Sequence, residues 1–363
     1  MFKSPRRLTT VCNCCVEPFA ATAVTRRSVL RGGVASLAAA AATTAPSAIF
    51  AQAKPTIIDV HHHIVPPTWL KEMDVIGRSD FPLKNWSIQK TIDDMDKGGV
   101  AIAMTSPTTP QVTPLAKDVA VRVARESNDY AKKMMTDHPT RFGMFATLPL
   151  PHIDESLKEI AYAFDTLKAD GVGIMTSYQD KWLGHAAFDP VWQELNRRKA
   201  TVYTHPTAAN CCVNLVQGVP EYMIEFGTDT VRAIASLILS GTSQKYKDIN
   251  WIWSHGGGSI TAFAERFQVQ VVSIPPYKGK ITREQMDGEL KRFYYDTAQI
   301  SGAVTLEALS KLVPSSQIVY GTDFPYRTAA DHTKGVTAFF KGGDLAKVER
   351  ENALRLIPRL KSV

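Results

Sequence analysis

Three consecutive histidines, His61, His62 and His63, follow a short apolar run in the stretch 56–67, TIIDVHHHIVPP. The run is rich in β-branched residues and a double proline stops it, so it reads as a strand ending at the triplet. Side chains alternate faces along a strand, which points His61 and His63 one way and His62 the other. Two imidazoles on one face are a natural pair of metal ligands, although a polar cluster at a strand end would look the same. Further donors stand where other apolar runs end. The run 200–204 leads into His205, 250–254 into His255 and three glycines, and 317–320 into Gly321-Thr322-Asp323. His61, His63, His205 and Asp323 make a nitrogen-rich set with one hard oxygen. That set suits a single divalent ion, zinc first and manganese second, with a position left for water or substrate. Alone, each is weak, since a Gly-Thr-Asp turn often only caps a helix. His138, His152, His185 and His332 fall on expected helices or loops and read as surface or structural.

What could bring these donors together is the order of the elements. Apolar strands are expected at 57–63, 100–105, 141–147, 171–176, 200–204, 250–254, 292–297 and 317–320. Helical periodicity is expected at 88–97, 116–137, 154–167, 190–198, 221–240, 263–271 and 304–312, with two more helices at 335–341 and 345–356. The segment 66–86 reads as a loop long enough to be a partial lid. Eight buried strands alternating with helices predict a closed (β/α)8 TIM barrel over a single domain, residues 54–363. An open doubly wound sheet is the competing arrangement, but no G-x-G-x-x-G follows the first strand. In a barrel the C-terminal ends of all strands meet at one mouth, so residues distant in sequence converge there.

The chain has 363 residues and a formal charge of +7. Residues 1–53 carry Lys3, Arg6, Arg7, Arg26, Arg27 and Arg31 against Glu17, which leaves 36 basic and 34 acidic residues in the remainder. The near-neutral remainder gives no electrostatic footprint for nucleic acid. Within 1–53, a basic segment, a short apolar core and Ala51-Gln52-Ala53 have the layout of an export signal with cleavage near Ala53. Arg26-Arg27 before Ser-Val-Leu resembles a twin-arginine signal, whose export machinery would deliver the protein to the periplasm. The core is too short and alanine-rich for a stable membrane span. Cys12, Cys14 and Cys15 precede the cleavage site, and the neighbours Cys211 and Cys212 are poorly placed to bridge, so no disulfide framework is read.

The ordered motifs H-x-H, T-H-P, S-H-G-G-G and G-T-D-F-P resemble the amidohydrolase superfamily, over residues 57–352. Within it the chain resembles the branch of aminocarboxymuconate-semialdehyde decarboxylase and related non-oxidative decarboxylases. The resemblance implies one metal on His61, His63, His205 and Asp323, with His255 as acid/base. Asp323 would either orient a water or protonate the substrate carbon. The segment 176–184, TSYQDKWLG, is similar to the corresponding loop of enzymes acting on salicylate-type acids, 6-methylsalicylate decarboxylases among them. Binuclear hydrolases of this fold carry a lysine at the end of strand four, whereas 171–176 has none and Lys168 and Lys181 lie outside it. A mononuclear decarboxylase of an aromatic or muconate-type carboxylic acid is therefore expected. A metal-dependent hydrolase of a lactone, amide or ester is the alternative, and a non-catalytic binding protein the more distant one. Arg78 is the candidate partner of the substrate carboxylate, its planar fork matching that group. Tyr178 and Trp182 are the candidates to flank an aromatic ring. Members of this branch are often homodimers, which gives the expected assembly.

Overall fold

The structure, a computed structural model, describes residues 55–362; the expected leader, its cysteines and its cleavage site lie outside the described residues. Eight parallel strands form one sheet in sequence order: β1 (Ile57–Ile64), β2 (Val100–Pro107), β3 (Phe142–Thr147), β4 (Gly171–Met175), β5 (Thr201–His205), β6 (Asn250–Trp253), β7 (Tyr294–Asp296) and β8 (Ile318–Val319). Hydrogen bonds from Val60 N to Tyr320 O, His63 N to Phe324 O and Asp323 N to His61 O, each 2.9 Å, join the last strand to the first. The sheet thus closes as the expected (β/α)8 barrel. Among the described residues no helix is long and apolar enough to cross a membrane.

The barrel interior holds Ile58, Val60, Ile102, Met104, Phe145, Tyr203, Ile252 and Val319. Their outward-facing neighbours pack under the helices in a second, larger cluster that includes Ile57, Ile64, Val172, Val202 and Trp251. The chain's last turns plug the N-terminal end of the barrel, where Leu356, Ile357 and Leu360 join the interior cluster. Arg359 fixes that plug with a bidentate pair to Asp170, at 2.6 and 2.8 Å.

Strand β1 carries an irregularity that the alternation rule does not foresee. Ile58 and Val60 face the interior, so unbroken alternation would send His62 inward and its neighbours out. Instead Asp59 pairs with Ala103 and His62 with Thr105, three residues of β1 facing two of β2. This bulge resets the parity, as bulges beside functional sites do. His61 then turns inward over Tyr203, with ring centroids 5.2 Å apart. His62 turns outward to stack on Phe324, at 4.8 Å.

Segment 66–86 is not the open loop expected. It contains the helices Pro67–Val75, with proline in its first turn, and Phe81–Lys84, capped by Asp80. A helix at Arg283–Arg292 was also unforeseen, although Thr282 and Gln285 form a full capping box there. Helices Ile88–Gly98 and Ala329–Phe339 lie against each other so closely that a Cβ on Gly98 would meet the Ala329 carbonyl carbon at 2.7 Å. Thr333 Oγ1 donating to Gly98 O and Ala329 N donating to Asp94 hold the pair in place. Gly98→Ala should therefore destabilise the barrel by about 1–3 kcal/mol through overpacking. A lowered melting temperature with unchanged metal content is the expected result.

Candidate metal centre

At the C-terminal mouth of the barrel, β1 supplies His61 and His63, β5 supplies His205, and the turn after β8 supplies Asp323. One potential ligand atom from each lies within 4.8 Å of all the others. All four residues are buried. His61 Nε2 is 3.2 Å from His63 Nε2, and the two stand 3.2 and 3.1 Å from Asp323 Oδ1.

The hydrogen bonds on the far side of each ring fix what these nitrogens offer. His63 Nδ1 faces the carbonyl of Ser106 at 3.3 Å and His205 Nδ1 that of Pro206 at 2.9 Å. His61 Nδ1 faces Asp296 Oδ2 at 2.7 Å. Carbonyl and carboxylate oxygens only accept, so each Nδ1 carries a hydrogen and each Nε2 presents a lone pair. Those lone pairs converge on Asp323 Oδ1, an acceptor with no hydrogen-bond donor of its own. Buried acceptors facing one another are costly unless a cation lies between them. The donor set therefore fits a divalent ion.

Without a metal, a proton meets part of this demand. Burial opposes protonation of His61, but the Asp296 and Asp323 carboxylates outweigh it and raise its pKa to about 10. Burial dominates at His63 and His205, both of which are lowered, His205 far below the usual range. Burial would raise Asp323, yet the charge of protonated His61 and hydrogen bonds from His255 and His61 hold it well below the usual carboxylate range. Metal uptake should displace the His61 proton, so acid competes with metal. Apparent Zn²⁺ affinity should rise with pH by up to about tenfold per unit below pH 10. Chelator competition between about pH 6.5 and 8.5 measures the slope, and a flat profile would mean that no proton is displaced.

His255 follows β6 in the left-handed conformation, φ 52°, and Asp323 adopts φ 71°. Such backbone costs of order 1 kcal/mol in a non-glycine residue, and it concentrates at functional sites. Three consecutive glycines, Gly256 to Gly258, all with positive φ, let the chain turn back directly after His255. His255 Nε2 then lies 3.4 Å from Asp323 Oδ2, to which the Gln299 amide also donates at 2.9 Å.

Several of these partners were not anticipated. Asp296, at the end of β7, accepts from His61 Nδ1 with one oxygen. Its other oxygen accepts from the backbone N–H groups of His255 and Ala298, at 2.8 and 3.0 Å. Asp59 ties β1 to the turn after β8, accepting from Thr322 N and Thr322 Oγ1 and from His62 Nδ1. Both are carboxylates at or in expected strands, which is the one signal the sequence offered.

The expected substrate contacts fare differently. Tyr178 is buried, its hydroxyl accepting from Met175 N at 2.8 Å and its ring packed on Phe188. The Trp182 indole donates to buried Asp229 at 2.6 Å, an anchor that also accepts from Thr176 and Ser177. Arg78 is exposed after helix Pro67–Val75, its guanidinium unpaired among the described residues. Besides Tyr203 beneath His61, the aromatic neighbours of the metal group are Phe226, 6.1 Å from the His205 ring, and Tyr326, 6.2 Å from the His63 ring. Strand β4 ends without a lysine, and His332 is a buried structural residue hydrogen-bonded to Thr297.

A family profile described as Amidohydrolase matches residues 58–359. The decarboxylase yanB of Aspergillus niger is 34% identical over 328 residues, 83% of this chain and 87% of that protein. The 6-methylsalicylic acid decarboxylase of Penicillium expansum is 34% identical over 318 residues, 84% of this chain and 97% of that protein. Among solved structures, a dihydroxybenzoic acid decarboxylase from Polaromonas sp. with bound manganese superposes with a TM-score of 0.75 at 20% identity, covering 84% of this chain and 97% of that one. The profile spans nearly the whole barrel and the relatives above 30% identity cover more than four fifths of the sequence: this chain belongs to the amidohydrolase family, in its branch of decarboxylases.

Proposed function

We propose that the reaction is loss of carbon dioxide from a 2-hydroxybenzoic acid of the 6-methylsalicylate type, on one divalent ion held by His61, His63, His205 and Asp323. The observation that carries this reading is the convergence of three imidazole lone pairs and a donor-less carboxylate oxygen beside His255. The absence of a lysine at the end of β4 supports one metal rather than two, and the names of the relatives support decarboxylation over hydrolysis. Zinc suits the nitrogen-rich set, and the manganese of the Polaromonas enzyme makes that ion the second candidate.

Held by His61, His63, His205 and Asp323, a divalent ion would supply a Lewis acid for the substrate's oxygens. The chain's own residues do the rest. Breaking the ring–carboxylate bond leaves an electron pair on the ring carbon, and a proton must take the place of carbon dioxide. His255 and Asp323, in contact at 3.4 Å, are the pair on which that proton travels. Gln299 keeps Asp323 Oδ2 aimed at His255, while Phe226 and Tyr326 provide apolar walls for a ring. The same reading retains Arg78 as carboxylate partner, export by the twin-arginine route to the periplasm, and a homodimer. Those points rest on the residue type, the leader's sequence and family resemblance respectively.

Full chain loaded with Zn²⁺ or Mn²⁺ should convert 6-methylsalicylate into equal amounts of carbon dioxide and 3-methylphenol, and chelator-stripped chain should not. Absence of carbon dioxide from every 2-hydroxybenzoate tested with loaded protein would overturn the substrate class.

A further inference from the structure

One pair of residues lies on the connection that follows the ligand His205 and takes no part in the metal centre. Cys211 and Cys212 end a short turn, Asn210–Cys212, on the connection between β5 and helix Glu221–Leu239. Cys211 is exposed and Cys212 buried, both as free thiols. Adjacency in sequence argues against a bridge, because neighbouring Cα atoms lie closer than in ordinary disulfides. The turn nevertheless brings the two Sγ atoms to 2.7 Å of each other. A disulfide bond is about 2.05 Å long, so less than about one ångström of movement separates contact from bonding.

The surrounding backbone is tethered on both sides of the pair. Cys211 N donates to Asp180 Oδ1 at 3.1 Å, joining the turn to the hairpin that follows β4. Thr207 N donates to Thr176 Oγ1 at 3.2 Å, and Asn214 N to Glu221 Oε1 at 3.3 Å. The segment also begins directly after His205, so it forms the rim of the mouth above β4 and β5. The sulfurs are thus held together by the fold at the edge of the substrate's entrance.

We propose that Cys211 and Cys212 are a redox modification site on this rim, closing reversibly to a vicinal disulfide by exchange with a small-molecule or protein disulfide. The exposed Cys211 thiolate attacks one sulfur of the oxidant, and the oxidant's other sulfur leaves as a thiolate. Cys212 Sγ then attacks Cys211 Sγ and expels the remaining oxidant sulfur. Two electrons pass to the oxidant, and the two cysteine protons end on its two thiols. Ring strain between adjacent residues makes the product easy to reduce, which is the behaviour of a labile rather than structural bond. The Cys212 contact, with burial, pushes the Cys211 thiol up to about 11. Closure should therefore be slow at neutral pH and accelerate with rising pH as the thiolate fraction grows.

The test uses the full folded chain and oxidised glutathione, with quenching by N-ethylmaleimide and tryptic mapping. Residues 200–232, between Lys199 and the cleavage after Arg232, form one peptide that carries both cysteines and none of Cys12, Cys14 or Cys15. The expected product is that peptide two hydrogen atoms lighter, free of maleimide and glutathione, and restored by dithiothreitol. The second step, closure of the Cys211–glutathione adduct by Cys212, should be faster in folded than in urea-unfolded chain. Cys212→Ser should stop at a glutathione adduct on Cys211. Two maleimides on the oxidised wild-type peptide, glutathione retained on it, a bond to another cysteine or chain, or equal rates of that second step in folded and unfolded protein would each overturn the proposal.

Discussion

Replacing His255 by asparagine should lower kcat for carbon dioxide release by about 10²–10⁴-fold while the protein still takes up one divalent ion. The two halves of that outcome come from separate observations. His255 lies outside the group of four that can share a cation, so its loss removes no lone pair from the metal's shell. Its imidazole, 13% exposed, faces the mouth and touches Asp323 Oδ2, which makes it the one histidine there free to carry a proton to and from a substrate. Asparagine is the informative replacement because it tolerates the left-handed backbone that φ 52° demands, whereas most residues would add strain at the same time. Elemental analysis gives the metal content and a kcat-against-pH profile the chemistry. Near-full activity in a metal-replete variant would remove His255 from the mechanism.

The barrel and the metal group were legible in the sequence for the same reason. Buried parallel strands are apolar on both faces, so their ends stand out, and a barrel needs no further information to bring those ends together. His205, His255 and Asp323 are readable because each directly follows such a run. Alternation gives the right faces only when counted within the histidine triplet itself. Counted from Ile58 and Val60, alternation gives the wrong face, and the bulge between Asp59 and His62 that corrects it leaves no mark in residue type. Loop residues were the least legible. Tyr178 and Trp182 have the chemistry to hold an aromatic ring, but the hairpin after β4 folds back toward helix Glu221–Leu239, where Asp229 captures the indole. Phe226 lies within a helix and reads as ordinary core by periodicity, yet it reaches the His205 ring. Periodicity says which face of an element is covered. It does not say what a loop will meet.

Asp296 is the residue whose loss should damage the metal centre most without removing a ligand. Asp296→Asn is nearly isosteric, yet an amide cannot do what this carboxylate does. With its oxygen toward the N–H groups of His255 and Ala298, its NH₂ points at His61 Nδ1 and only a lone pair there can receive it. That forces the hydrogen onto His61 Nε2, where the metal requires a lone pair. Turned the other way, the amide restores the His61 bond and leaves two backbone donors facing an NH₂, displacing the turn that carries His255. Either arrangement should weaken metal binding about 10–100-fold, the range found when a histidine ligand loses its orienting partner. The variant also removes the largest influence that raises His61 toward a pKa of about 10. Its proton should leave at lower pH, so metal affinity should depend less steeply on pH than in the wild type even as it falls overall. Chelator competition across the same pH range reads both effects at once. Wild-type affinity with an unchanged slope would mean that Asp296 neither orients His61 nor sets its charge.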